Sequence, residues 1–107
     1  MAKTVDLCSG VAATAGDQAS VLVGNTTPFL PGRDVVAHIL LDDSAGTDAV
    51  IAIDGSDDDS TWVADVATYT GLGHGSVSCK VYKYMRASVT TAAGTTAGVL
   101  SVWLEGV

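Results

Sequence analysis

Apolar residues run along this chain in short bursts separated by Gly, Ser, Thr and Asp, and within most bursts they recur at every second position. A period of two places alternate side chains on opposite faces of an extended strand and fits no single face of a helix. The longest alternation covers residues 76–90: Val77, Cys79, Val81, Lys83, Met85, Ala87 and Val89 share one phase, and Ser78, Lys80, Tyr82, Tyr84, Arg86 and Ser88 the other. The first phase reads as a core face, with Lys83 as its exception at a bend or bulge. Residues 35–41 carry large apolar side chains on both phases, Val35, Ile39 and Leu41 against Val36 and Leu40, as in a central strand covered on both sides. Residues 49–54 repeat the theme with Val50 and Ala52 against Ile51 and Ile53, and the turn residues at 42–48 predict a hairpin joining the two. Residues 62–69, apolar at Trp62, Ala64 and Val66, are expected to add a third strand to that meander.

The final segment, 97–105, sets Leu100, Val102 and Leu104 against Val99, Ser101 and Trp103. Upstream, residues 19–24 read as a short strand and residues 4–7 as a weaker strand or an arm. Pro28 and Pro31 flank Phe29 and Leu30 and mark an irregular crossing, because proline cannot donate to a sheet ladder. About seven strands with turn signals between them predict an all-β chain: one antiparallel two-layer β-sandwich, jelly-roll-like, with a barrel as the nearest alternative. Residues 1–16, rich in Ala and Gly towards their end, are expected as an irregular N-terminal arm or weak first strand, and residues 17–107 as the sandwich domain.

Composition agrees with that architecture. The 107 residues are 48% hydrophobic and 16% charged, enough apolar material to form a core and the size of one domain. Charge narrows the partners. Five Lys and Arg against twelve Asp and Glu give a net charge of −7, the wrong sign for a phosphate backbone or an anionic membrane surface. No apolar run approaches the roughly 20 residues of a spanning helix. Asp6 stands where a secretory signal would have its apolar centre, so synthesis in the cytoplasm is expected. Cys8 and Cys79 lack the paired spacing of zinc sites; in a reducing compartment they read as small buried hydrophobes, with a long-loop disulfide as the alternative.

Candidate chemistry is sparse. The acidic run at 54–60 would offer Asp57 and Asp59 to a calcium ion, but its glycine precedes the cluster and no glutamate closes it, so a solvated turn is expected. Gly71, Gly73 and Gly75 around His74 lack the dinucleotide fingerprint and read as a hairpin loop with an exposed histidine. His38, between apolar neighbours, reads as a core or interface side chain. Neither histidine, nor Cys8, has a nucleophile-elbow context, so no catalytic residue, metal site, cofactor or small-molecule substrate is expected. Arg86, beside Tyr82 and Tyr84, suits an ion pair with Asp54 or Asp65, and Trp103 suits a core anchor or an interface aromatic.

Two motifs carry a resemblance over residues 35–107. Gly55-Ser56-Asp57-Asp58-Asp59-Ser60-Thr61-Trp62 has the form G-S-x-D-x-x-x-W, and Tyr84-Met85-Arg86-Ala87-Ser88-Val89 has the form Y-x-R-x-x-V. Together they resemble small β-sandwich proteins of tailed bacteriophage virions, most of all capsid decoration or cement proteins. The resemblance implies a structural corner at Gly55, Ser56, Asp57 and Trp62 that delivers the tryptophan into the core. It also implies a homotrimer on the outer surface of the capsid, partnered with the major capsid protein and stabilising the assembled head. In that picture Lys3, Thr4, Val5, Asp6 and Leu7 belong to a capsid-contacting arm that orders on binding, and Leu40, Tyr82, Arg86 and Trp103 face a subunit interface. A carbohydrate- or calcium-binding sandwich module of a phage tail or fibre is the alternative.

Overall fold

The computed structural model describes residues 3–12, 16–24, 29–42, 49–71, 73–91 and 99–106, and among them the regular structure is all strand. In chain order the strands are β1 (Lys3–Ala12), β2 (Gly16–Asp17), β3 (Val21–Leu22), β4 (Asp34–Asp42), β5 (Ala49–Ser56), β6 (Trp62–Gly71), β7 (Gly73–Lys80), β8 (Tyr84–Thr91) and β9 (Val99–Gly106). They form two antiparallel sheets. Sheet A has the order β1-β9-β4-β7; in sheet B, β8, β5 and β6 lie side by side, and β2 and β3 pair with successive parts of β8.

The pairing is that of a long double ribbon rolled up on itself. The outermost strands pair first, β1 with β9; then β2 and β3 with β8, β4 with β7, and β5 with β6. Counting β2 and β3 as one interrupted strand, this is eight strands in two four-stranded sheets, the jelly-roll arrangement. The expected sandwich is therefore the observed fold.

The interior follows the alternation. Sheet A turns in Val35, Ala37, Ile39, Leu41, Cys79, Leu100, Val102 and Leu104; sheet B answers with Ile51, Ile53, Ala67, Met85, Ala87 and Val89, all buried. Full burial of a side chain such as Leu100 or Leu104 stabilises by about 1.5–3 kcal/mol. Two tyrosines seal the sides where glycine makes room. A Cβ at Gly75 on β7 would stand 2.0 Å from the Tyr69 ring of β6, and one at Gly55 on β5 would stand 2.3 Å from the ring of Tyr82.

Several expectations are corrected. The hairpin between residues 35–41 and 49–54 does not form: β4 lies in sheet A and β5 in sheet B, so residues 43–48, outside the described residues, join two layers. β4 is central but covered on one face only, leaving Val36 and Leu40 each 41% exposed. The alternation at 76–90 is two strands in different sheets, broken at residues 81–83 with Lys83 at a bend. The core phase survives the break because Val81 remains buried on the crossing and its N–H donates to the carbonyl of Arg33. In β6, Asp65 adopts φ 58° beside a register shift against β5, and the core takes Ala67, Tyr69 and, half-buried, Val66, while Trp62 and Ala64 of the expected phase stay outside it. Of the two readings of residues 1–16, residues 3–12 take the strand and not the arm. Lys3, Thr4, Val5 and Asp6 pair with β9 in register, and Leu7, in the first of two register shifts, is buried in the core.

Candidate functional site

Chemistry gathers on the outer faces of the two sheets, while the described residues enclose no pocket. On sheet B the outward phase of β5 presents Ala52, Asp54 and Ser56, all buried beneath longer neighbours. Arg86 stands opposite Asp54 on β8 and its Nε donates to Asp54 Oδ2 over 3.2 Å. Its Nη2 reaches Asp17 Oδ2 of β2, also at 3.2 Å, and its guanidinium lies 4.2 Å from the centre of the Trp62 ring. The Asp65 N–H donates to the other oxygen of Asp54, and the Ser88 hydroxyl donates to Asp17 at 2.7 Å. Arg86 thus ties β2, β8, β5 and β6 together. Of the two partners expected for it, Asp54 takes the ion pair, while Asp65 contributes its backbone.

The acidic corner is built on two side chains. Ser56 Oγ, buried, accepts the N–H groups of Asp58 and Asp59, and its proton has the Thr61 carbonyl at 2.6 Å and Asp58 Oδ1 at 3.0 Å to choose from. Asp58 Oδ1 accepts the N–H groups of Ser60 and Thr61. Those bonds, from Thr61 and then Ser60, hold the Asp58 carboxyl below its ordinary value of 3.8. Asp57 and Asp59 are exposed. The corner does not deliver Trp62 to the core: Trp62 lies opposite Ser56 on the outward phase and stays half-buried under Arg86.

On sheet A, β9 and β4 bring Trp103 opposite His38, and β4 and β7 bring Leu40 opposite His74. The rings of Trp103, His38 and His74 lie nearly parallel, with centroids 5.3 to 5.9 Å apart. His38 is held at both nitrogens: Nε2 is 3.0 Å from Glu105 Oε1, and Nδ1 is 3.1 Å from His74 Nε2. A carboxylate only accepts, so Nε2 of His38 carries the proton; in the neutral ring Nδ1 is then the acceptor and His74 donates through its Nε2. Val36 and Leu40 flank this row on β4 and Ser76 stands opposite His38 on β7.

The four side chains expected at one interface thus divide. Leu40 and Trp103 share the outer face of sheet A, Arg86 lies on sheet B, and Tyr82 packs against Gly55 and the chain's own core. Trp103 is an outer-face residue and not a core anchor. Both cysteines are free, Cys8 half-buried and Cys79 buried. They stand on the two edge strands of sheet A, three strand spacings or about 14 Å apart across the sheet and four residues further apart along it, too far to bridge. Burial, then the charge of Asp34, pushes the Cys79 thiol up to about 12; burial also raises Cys8.

Sequence reasoning missed Glu105 and misplaced His74, which lies in β7 and not in a loop. Trp103 and Glu105 share the phase opposite Leu100, Val102 and Leu104, but the apolar residues on both phases of 35–41 hide that His38 faces outward. The register that sets them side by side pairs residues 65 positions apart, and no local pattern reports it. No protein-family model, curated protein or solved structure matches the chain.

Proposed function

We propose that this chain is a structural protein of a tailed bacteriophage virion: a decoration protein that binds the assembled head lattice as a homotrimer and stabilises it by bridging major capsid subunits. The observation that carries the reading is the outer face of sheet A, where Val36 and Leu40, each 41% exposed, flank half-buried Trp103. An aromatic and aliphatic sheet face suits contact with another protein surface, where tryptophan is a common anchor. The motif resemblance at residues 55–62 and 84–89 supplies the identity of that surface. The mechanism is mass action: a partner that engages only the expanded lattice stabilises it by its binding free energy, multiplied over many copies.

The test uses heads of the phage that encodes the chain, assembled without it. The purified protein is expected to run as a trimer of three times 10.8 kDa by light scattering and to co-sediment saturably with expanded heads, raising their resistance to heat. Trp103→Ala should weaken that binding by at least tenfold, the effect of an interface hot spot of about 2 kcal/mol. Heads that sediment without the protein, even with the protein in large molar excess over the capsid subunits, would sink the proposal.

A further inference from the structure

We infer that His38 and His74 form a two-ligand site for a borderline-soft divalent cation, zinc or copper, on the outer face of sheet A. The two imidazole nitrogens point at one another across 3.1 Å at an exposed position. The nitrogens of imidazoles on adjacent corners of a tetrahedral zinc, each about 2.0–2.1 Å from the ion, lie about 3.3 Å apart, close to the spacing of this pair; the ion stands off the line between them, and both rings turn to face it. The lone pair of His38 Nδ1 faces His74 and is free for the ion once that hydrogen bond opens. His74 offers its own by moving its proton from Nε2 to Nδ1, a tautomer change that releases no proton.

Glu105 supplies the feature that separates a ligand from an idle histidine. Its carboxylate accepts the Nε2–H of His38 at 3.0 Å, which fixes the tautomer and orients the ring, as carboxylates do behind metal-bound histidines. Trp103 lies nearly parallel to both rings. The surroundings favour a cation, since the chain carries a net charge of −7. Among the described residues no group of three or more His, Cys, Asp or Glu is placed to hold an ion. The pair is therefore an open site whose remaining positions are filled by water or by a second copy's pair. Nitrogen donors without carboxylate in the inner set select zinc, nickel and copper over calcium and magnesium.

Tag-free protein titrated with zinc chloride at neutral pH, followed by calorimetry and by the imidazole resonances in NMR, tests this. Saturable uptake of one zinc per chain, or one per two chains, is expected, with both histidine ring signals shifting, copper binding more tightly, and magnesium producing no change. His74→Gln should abolish the saturable phase, and Glu105→Gln should weaken it about 10–100-fold. Thermal melts of the variants without metal show that each still folds. Absence of saturable uptake by the wild-type chain, or uptake that His74→Gln leaves unchanged, would overturn the inference; either result leaves capsid binding to be judged separately.

Discussion

At the scale of single residues, the most heavily used polar atoms sit in the corner after β5. Ser56 and Asp58 satisfy the N–H groups of four consecutive residues, 58–61, so the turn's backbone is paired without any ladder. The Asp58 bonds favour its ionised form, which sets the sign of a pH effect. A carboxyl whose folded pKa lies below its unfolded value adds stability above the unfolded value, here 3.8, and loses it as pH falls through the lower folded one. Asp58→Asn should therefore lower the urea midpoint at pH 6, and the difference from wild type should shrink steadily below pH 3.8. Urea titrations at a series of pH values check this, and a difference that stays constant down to pH 2 would refute it. The corner's acidic, glycine-led composition is legible in the sequence. Which aspartate does the bonding is not, because Asp57, Asp58 and Asp59 are chemically equivalent until the chain's path assigns them directions.

Among the elements, sheet B depends on one cation. Asp54 has an 8% exposed side chain and the Arg86 guanidinium is its charged partner, itself 23% exposed. Removing one member of such a pair leaves an uncompensated buried charge, which costs more than the pair contributes. Arg86→Met should lose about 3 kcal/mol, the low end for a buried pair because the arginine keeps some solvent. Arg86→Met combined with Asp54→Asn should recover part of that loss. Denaturant unfolding of the two single variants and the double variant measures the coupling, and strictly additive losses would contradict it. The pairing of Arg86 with Asp54 was readable from residue type and phase. The reach of Arg86 to Asp17 and its stacking on Trp62 were not, because β2 and β6 flank β8 and β5 only through the sheet order.

For the whole molecule, the first strand decides how much chain the domain needs. An arm lying outside the fold predicts that residues 2–15 can be removed with the domain intact. The structure predicts the reverse: β1 pairs with β9 along most of its length and contributes Leu7, 4% exposed, to the core. Leu7 alone is worth about 1.5–3 kcal/mol of a domain stability of about 5–15 kcal/mol, and the deletion also strips β9 of its partner. A chain starting at residue 16 should show no cooperative thermal transition by circular dichroism. A sharp melt near that of the full chain would mean that β1 is dispensable.

The chain's periodicity by itself determined the strand class, the approximate positions of the strands and most of the inward phase. Alternation is a local property, and burying one face of a strand is the same requirement in any sandwich. It also determined the acidic corner, the crossing at Pro31 and the split character of β8, with Met85, Ala87 and Val89 inward and Arg86 outward. Only the tertiary structure decided the sheet to which each strand belongs, and with it the loss of the β4–β5 hairpin. Turn residues signal that the chain reverses, but not whether it returns beside the same strand or crosses to the other layer. The row of Trp103, His38, His74 and Glu105 has the same origin. Its members come from three strands far apart in sequence and meet because the rolled ribbon lays β9, β4 and β7 side by side.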